Sequence, residues 1–374
     1  MVKKLVFWWN HPCRSILGLC DALAEATSCQ VTLVALDGYS ELRAKLGWGA
    51  VHPNRTRVAV FTRDTYQEKS EELRNDLSTV HILNSVYSSQ ALRWIAHRLA
   101  ETGQKYWVMS EAPTNAFHGL KYAAKVAYHH LYVPLIARPL ASRSMGCFCL
   151  SGGSSESMHA MVTMGFDQRT LVPFGYYPAP LPIPAVRRLP SNGKIELLCT
   201  GVLEPSKGHA VLLRALALAR QRGLRFRCSI TGFGSQESHL RRLTEELHLG
   251  TQVNWVGAVP DERLYELIAQ TDVFLAPGIR EPWGIRLNDA IQAGLPVITT
   301  SGLGAAELVR AARCGTVVRP GDHAALAESI LELALDDAKL SMCRTNARSF
   351  APTIAPANMA GRVISELSRV VEIA

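Results

Sequence analysis

The sequence predicts an α/β fold in two domains, each a parallel sheet covered by helices. Three observations predict it. The chain has 374 residues, which at about 150 residues per domain is roughly two and a half domains. Short apolar runs alternate with helix-period segments. A proline-rich stretch divides the alternation into two blocks. With 48% hydrophobic and 19% charged residues and a mean hydropathy of +0.05, the chain has core material for both and lacks the composition of a disordered protein.

The first block opens with Val2–Trp9 as a buried strand, Ile16–Ala26 as a helix and Gln30–Leu36 as a second strand. Val58–Phe61, Val80–Leu83 and Trp107–Met109 continue as strands, while Ser88–Thr102 and Asn115–Val126 have helical periodicity. From Val172 to Gly193 the chain reads VPFGYYPAPLPIPAVRRLPSNG, where repeated prolines remove backbone donors and restrict dihedrals, so a linker is expected. The second block alternates strictly. Strands are expected at 195–201, 225–232, 253–257, 272–277, 296–300 and 315–320, with helices near 207–222, 236–247, 261–270, 285–293, 304–312 and 323–335. Strands this apolar need helices on both faces, which a doubly wound sheet provides. Ligands of such sheets sit beyond the carboxyl ends of the strands, which brings loops 201–208, 232–235 and 277–284 into consideration together. The expected division is residues 1–180, a linker at 181–194, a second domain at 195–348 and a C-terminal segment at 349–374.

The net charge of +8 is uneven: residues 1–190 carry 20 Lys and Arg against 13 Asp and Glu, residues 191–374 carry 20 against 19. A basic first half fits a nucleotide, a nucleic acid or phospholipid headgroups, and equally a well-solvated surface. No reader motif or basic–aromatic stripe accompanies the charge, so specific nucleic-acid binding is not expected. Nine cysteines, singles apart from Cys147-x-Cys149, form no zinc framework and point to reduced thiols. The apolar run of MVKKLVFWW ends at Asn10, His11 and Pro12, short of a signal-peptide core, and no later run reaches about 18 apolar residues. The expectation is a cytoplasmic chain that does not span a membrane, with peripheral attachment left open.

Several segments carry chemistry. Gly201-Val-Leu-Glu-Pro-Ser-Lys207-Gly208 sets an ammonium at a strand exit just before a helix, where Lys207 could neutralise a diphosphate; alone it is also compatible with an exposed lysine beside a turn. Gly232-Phe233-Gly234 could bring backbone N–H groups to phosphate or be a tight turn. Pro277–Ile298 places Glu281 before a helix and Asp289 within it, eight residues on, two acceptors that suit a hydroxyl-rich ligand. Acidity at a helix start is the plainer reading of the same residues.

The segment Glu281-Pro-Trp283-Gly284-Ile285 through Asp289-Ala290, then Gly294-Leu-Pro-Val-Ile298, resembles the signature of glycosyltransferase family 4. The resemblance is strong over residues 195–335 and weak over 1–175. It implies a GT-B fold, two Rossmann-like domains facing across a cleft, and a retaining glycosyltransferase using a nucleotide-diphosphate sugar, UDP or GDP, with no essential metal. By the same resemblance Glu281 would approach the sugar hydroxyls, the 284–285 backbone beside Trp283 would meet sugar or diphosphate, and Asp289 would hold the ribose. Asp289 stands where the family usually has Glu, and Val202 where it has an arginine, which leaves the diphosphate to Lys207, with Arg280 or Arg286 as substitutes. The first loop is Asn10-His11-Pro12-Cys13-Arg14-Ser15 instead of glycine-rich. Family members often place an N-domain histidine beside the sugar, which singles out His118, with Glu111 to orient a sugar or accept a proton. A glycan or lipid-linked sugar acceptor, a role in polysaccharide or lipopolysaccharide synthesis and peripheral inner-membrane association complete that expectation. A sugar-nucleotide epimerase and a non-catalytic sugar-nucleotide-binding or complex-assembly protein are the alternatives. Tyr176 and Tyr177 are expected at the acceptor side or the hinge, and the terminal helix after Pro356 is expected to cross back to the first domain.

Overall fold

The computed structural model describes residues 1–36, 53–62, 65–113, 127–183 and 193–373. The helix expected at Asn115–Val126, the candidate His118 and residues 184–192 of the linker lie outside the described residues. Of those described, residues up to Ala179 and from Ala355 onward make one compact unit, and Pro180–Ile354 make the other.

The first unit holds a parallel sheet of seven strands: β1 (Lys4–Trp9), β2 (Gln30–Ala35), β3 (Arg57–Val60), β4 (Thr79–Leu83), β5 (Tyr106–Ser110), β6 (Cys147–Cys149) and β7 (Leu171–Pro173), in the order β3-β2-β1-β4-β5-β6-β7. Leu5 through Trp9 are all buried, as expected of a parallel strand covered on both faces. The first strand is shorter than its apolar run, because Val2 instead bridges to Ile373. The indole of Trp8 donates to Nδ1 of His81 on the neighbouring strand at 3.1 Å. Burial holds that imidazole neutral, its pKa lowered to about 3.

On one face lie the helices Gln90–Glu101 and Val133–Ala141, whose Leu92, Ile95, Ala96, Leu99, Val133, Ala137 and Leu140 join Val6, Trp8 and Val108 in one core. The helix Arg14–Ala26 buries Ile16, Leu17, Leu19, Cys20 and Leu23, spaced for one apolar face, and the C-terminal helix Pro356–Ser368 packs against it. The approach is close at Gly18, where a Cβ would lie 2.9 Å from the Ala179 nitrogen and 3.3 Å from Cγ of Pro356.

The second unit holds a parallel sheet of six strands: β8 (Ile195–Thr200), β9 (Phe226–Thr231), β10 (Val253–Gly257), β11 (Val273–Ala276), β12 (Val297–Thr300) and β13 (Gly315–Val318), in the order β10-β9-β8-β11-β12-β13. Helices His209–Gln221, Glu237–Glu246, Asp261–Ala269, Arg286–Gln292, Ala306–Ala312 and His323–Leu335 alternate with them, each within a few residues of the sequence expectation. The helix Asp337–Phe350 was not expected as a separate element. It is tied down by Arg344, which donates to the buried Asp272 at 2.6 Å while the other Asp272 oxygen accepts from the Glu196 amide at 2.9 Å. The two charges are 4% and 0% exposed, so each depends on the other for solvation.

Both sheets are parallel and flanked by helices, the two Rossmann-like domains of a GT-B fold. In each the strand order reverses beside the first strand, between β1 and β4 and between β8 and β11. Loops leaving the carboxyl ends at such a reversal diverge and open a crevice suited to ligands.

Candidate functional site

In the second unit the reversal lies between β8 and β11, paired through Leu197–Val273, Leu198–Phe274 and Cys199–Leu275. The loop leaving β8 carries Lys207 and the loop leaving β11 carries Glu281. The lysine Nζ donates to Glu281 Oε2 at 2.6 Å, with the side chains 27% and 16% exposed. Residues 74 apart in sequence thus form one ion pair at the position where such sheets take ligands. Buried Cys199 lies beneath it. Its thiol pKa is raised to about 12, first by burial and then by the Glu281 carboxylate, with Lys207 opposing.

Backbone contacts position the pair. Gly208 has φ +71°, and a Cβ there would sit 2.0 Å from the Pro277 carbonyl oxygen, so only glycine lets the lysine loop lie on the β11 exit. The Ile279 amide donates to the Ser206 carbonyl at 2.7 Å, and the Glu281 amide to the Gly302 carbonyl at 2.9 Å. Thr300 Oγ1 donates to the Gly278 carbonyl. The loops after β8, β11 and β12 therefore hold one another.

Gly201, Gly232 and Gly234 lie at the neighbouring β8 and β9 exits. A Cβ on Gly232 would be 1.9 Å from the Gly201 oxygen, and one on Gly234 2.6 Å from the Leu203 oxygen. The packing of the two loops against each other already requires Gly232 and Gly234. Glu204 joins the same arrangement, accepting from the Ser235 amide at 3.0 Å and its hydroxyl at 2.8 Å.

The Glu281 loop continues through Trp283, whose indole is 2% exposed and donates to Asn288 Oδ1 at 2.9 Å. Trp283 thus anchors the loop to the helix Arg286–Gln292 from inside the unit. Gly284, with φ +93°, turns the backbone over Leu303, which a Cβ would meet at 2.6 Å, and Ile285 is the residue before that helix. Asp289 is 1% exposed and accepts from Arg286 at 2.9 Å. The two acidic residues of the motif therefore have different cations, Lys207 and Arg286. Arg280 lies on the same loop, its amide donating to Ser206 at 3.5 Å, and Val202 stands at the β8 exit.

In the first unit the corresponding loops leave β1, β4 and β5. Asn84 accepts from Asn10 at 3.5 Å and donates to the Met109 carbonyl at 3.3 Å. Glu111 Oε1 accepts from the Tyr176 hydroxyl at 2.9 Å, and the Glu111 carbonyl accepts from Tyr87. Burial and then the Glu111 charge push the Tyr176 phenol well above its ordinary pKa, so it stays a donor. Arg14 donates to the Ala179 carbonyl at 2.8 Å. Sequence reasoning missed Asn84 and Tyr87, which sit in short polar loops with no motif around them. It also missed Ser206 and Leu303, whose parts are played by a backbone carbonyl and by packing. Among the described residues, no three His, Cys, Asp or Glu side chains gather as a metal site would require.

A family model described as "Glycosyl transferases group 1" matches residues 186–350. The chain is 28% identical over 228 residues to the putative colanic acid biosynthesis glycosyltransferase WcaL of Escherichia coli K12, covering 57% of this chain and 53% of that one. It is 37% identical over 112 residues to the lipopolysaccharide glucosyltransferase WaaG of the same strain, covering 30% and 29%. The chain thus spans about half or less of the length of these curated relatives. Among solved structures, Anabaena Alr3699/HepE in complex with UDP superposes with a TM-score of 0.71 over 99% of this chain and all of that one, at 18% identity. WaaG superposes with a TM-score of 0.62 over 96% and 99%, at 17% identity. The chain has the GT-B fold, and its second unit carries a glycosyltransferase-like domain that matches the group 1 model.

Proposed function

We propose that this chain transfers a sugar, with retention of its anomeric configuration, from a nucleotide-diphosphate sugar to a hydroxyl acceptor. The observation that carries the reading is the Lys207–Glu281 pair, 2.6 Å apart at the strand reversal of the domain matching the glycosyltransferase model. In transfer, the bond from the anomeric carbon to the diphosphate oxygen breaks and the acceptor oxygen bonds to that carbon. The diphosphate leaves with the bonding electrons, and the acceptor proton passes to it. Lys207 offsets the growing charge on the diphosphate, and Glu281 orients the sugar hydroxyls and faces the positive character at the anomeric carbon. The 284–285 backbone receives sugar or phosphate. Gly201, Gly232 and Gly234 keep the neighbouring backbone close to the donor. Asp289 takes the ribose when Arg286 turns away, and Arg286 is then released towards the diphosphate, where Val202 offers no charge. Glu111, held by Tyr176, serves the acceptor side, and His118 is assigned a hydrogen bond to the transferred sugar. No metal has a part in this scheme.

The names of the curated relatives support polysaccharide or lipopolysaccharide synthesis; a glycan or lipid-linked acceptor and a place at the cytoplasmic side, peripheral to the membrane, belong to the same proposal. The test is a panel of UDP- and GDP-sugars with mass detection of acceptor-dependent product, repeated with Lys207→Ala and Glu281→Gln. Product that disappears in both variants, while folding is unchanged, supports the reading. A second reading, a non-catalytic sugar-nucleotide-binding protein, is favoured by the Arg286–Asp289 pair and by Val202. Donor binding without transfer or hydrolysis across the panel would establish it, and interconversion of donor sugars without an acceptor would point to an epimerase.

A further inference from the structure

The segment Tyr128–Ala141 is apolar on both sides. Its inner side, Val133, Ala137, Leu140 and Ala141, is buried in the first unit. Its outer side carries Tyr128 at 45% exposure, Leu131 at 69%, Tyr132 at 52% and Leu135 at 71%. These positions follow i, i+3, i+4 and i+7, so they form a single stripe along the helix. The stripe continues into exposed Arg138 and Pro139. Tyr128 and Tyr132 stack with ring centroids 5.3 Å apart. The first turn is a π-helix, in which the Val133 amide bonds to the Tyr128 carbonyl. Beside the stripe Arg138 donates to the Thr163 carbonyl at 3.2 Å, next to the exposed Val162.

The charge carried by the segment itself has one sign. Residues 127–155 contain no Asp or Glu and include Arg138 and Arg143. The helix Gln90–Glu101, which packs alongside, adds Arg93 and Arg98. Its Glu101 is paired with Arg98 at 2.7 Å. Large exposed leucines and tyrosines with arginine, and no acidic neighbour in the segment, match the interface of an anionic bilayer: apolar side chains enter the headgroup boundary and cations meet phosphate. A second copy of this chain would oppose one positive face to another.

We propose that the outward stripe Tyr128, Leu131, Tyr132, Leu135 and Arg138 docks this chain on an anionic phospholipid bilayer. The docking specifies the membrane-side reading given above and requires no sugar transfer. Among the described residues no helix is long and apolar enough to cross a membrane, so attachment at this stripe is interfacial.

The test is sedimentation of the full chain, without donor, with sucrose-loaded vesicles of phosphatidylcholine alone or mixed with phosphatidylglycerol. The chain pellets with the mixed vesicles only, and added salt reduces the amount. The double substitution Leu131→Ser with Leu135→Ser lowers vesicle affinity by about tenfold or more, and Arg138→Glu lowers it less while weakening the salt dependence. Tyr132→Ser gives a second reading of the stripe should the double variant unfold. Failure to pellet with anionic vesicles overturns the proposal, as does equal binding by the folded variants. So does a dimer by light scattering that becomes monomeric in the double variant, which would assign the stripe to a second copy. Vesicle binding that survives in a chain with no transferase activity removes the functional reading alone. Transfer to a soluble acceptor by a chain that ignores vesicles removes the docking alone.

Discussion

The loops leaving β8, β9 and β11 are shaped by backbone. Gly208 and Gly232 occupy positive φ where a Cβ would strike a carbonyl oxygen at 2.0 and 1.9 Å, and the ion pair rests on that framework. The loops leaving β1, β4 and β5 have no such glycine among the described residues. There a positive φ falls on Ser85, at +83°, supported by its own hydroxyl, which accepts from the Tyr87 and Ser88 amides at 3.1 and 3.2 Å. Asn10, Asn84, Glu111 and Tyr176 form the polar surface by side-chain hydrogen bonds. Close backbone approach favours a ligand contacted by main-chain N–H groups, such as a diphosphate. An edge made of side chains can change its chemistry by substitution while its backbone stays in place.

The sharpest way to break that contrast is Gly208→Ala. The added methyl meets the Pro277 oxygen in a left-handed conformation, and the expected loss is about 3 kcal/mol or more, measured by denaturant unfolding. Gly361→Ala, whose Cβ meets nothing within 4 Å inside the helix Pro356–Ser368, should cost nothing measurable. Equal effects at the two sites would remove the argument that backbone packing shapes the second unit's edge.

Next in size is Lys207→Ala. Loss of the cation that faces the leaving diphosphate is expected to lower turnover by about a hundred- to a thousandfold with folding unchanged. A loss below about threefold would mean that the ion pair is a structural tie of the two loops.

Among the described residues, each unit holds a buried histidine kept neutral by burial. His209 follows Gly208, its pKa is lowered to about 4 by burial and then by Lys207, and neither ring nitrogen has a partner among the described residues. His81 is its counterpart beside Trp8. In each case the unfolded chain binds a proton that the folded state refuses, so stability is full above the unfolded pKa of 6.5 and falls as pH drops towards about 4 and about 3. From about pH 7.5 to about pH 5 the expected loss is about 2 kcal/mol for each residue. His209→Leu should flatten part of the pH dependence of unfolding without lowering stability at neutral pH, since no hydrogen bond is broken. An unchanged pH profile would show that His209 does not resist protonation.

The smallest effect is expected at Tyr176→Phe. Removing one hydrogen bond from Glu111 should raise the acceptor KM by about tenfold and leave the donor KM unchanged. A change in donor KM instead would reverse the division of labour between the two edges.

The second unit was legible in the sequence nearly element by element. Its strands are apolar runs of four to six residues separated by helices with a buried stripe, and its glycines mark the loop exits. The motif at 281–298 pointed to Glu281 and Asp289, and the strand exit at 201–208 pointed to Lys207. The first unit was less legible beyond β5. Cys147–Cys149 and Leu171–Pro173 are three residues each, too short to show a period, and they become strands through pairing with β5 and with each other. The run Val126-Ala-Tyr-His-His-Leu-Tyr-Val-Pro-Leu-Ile-Ala-Arg138 mixes aromatic, apolar and basic residues and as sequence fits a buried helix and strand or an interfacial surface; the structure makes Tyr128–Ala141 helical and leaves one side of it exposed.

What the sequence determined by itself is the local physics: parallel α/β units from alternating periodicities, turns where glycine is required, and the identity of the charged residues at the loop ends. Which charges meet was decided only by the tertiary structure. Lys207 reaches Glu281 because β8 and β11 are neighbours at a reversal of strand order; the Arg286–Asp289 pair is the exception, a local contact three residues apart on one helix. Strand order and burial depend on contacts between distant residues, and no local pattern encodes those distances.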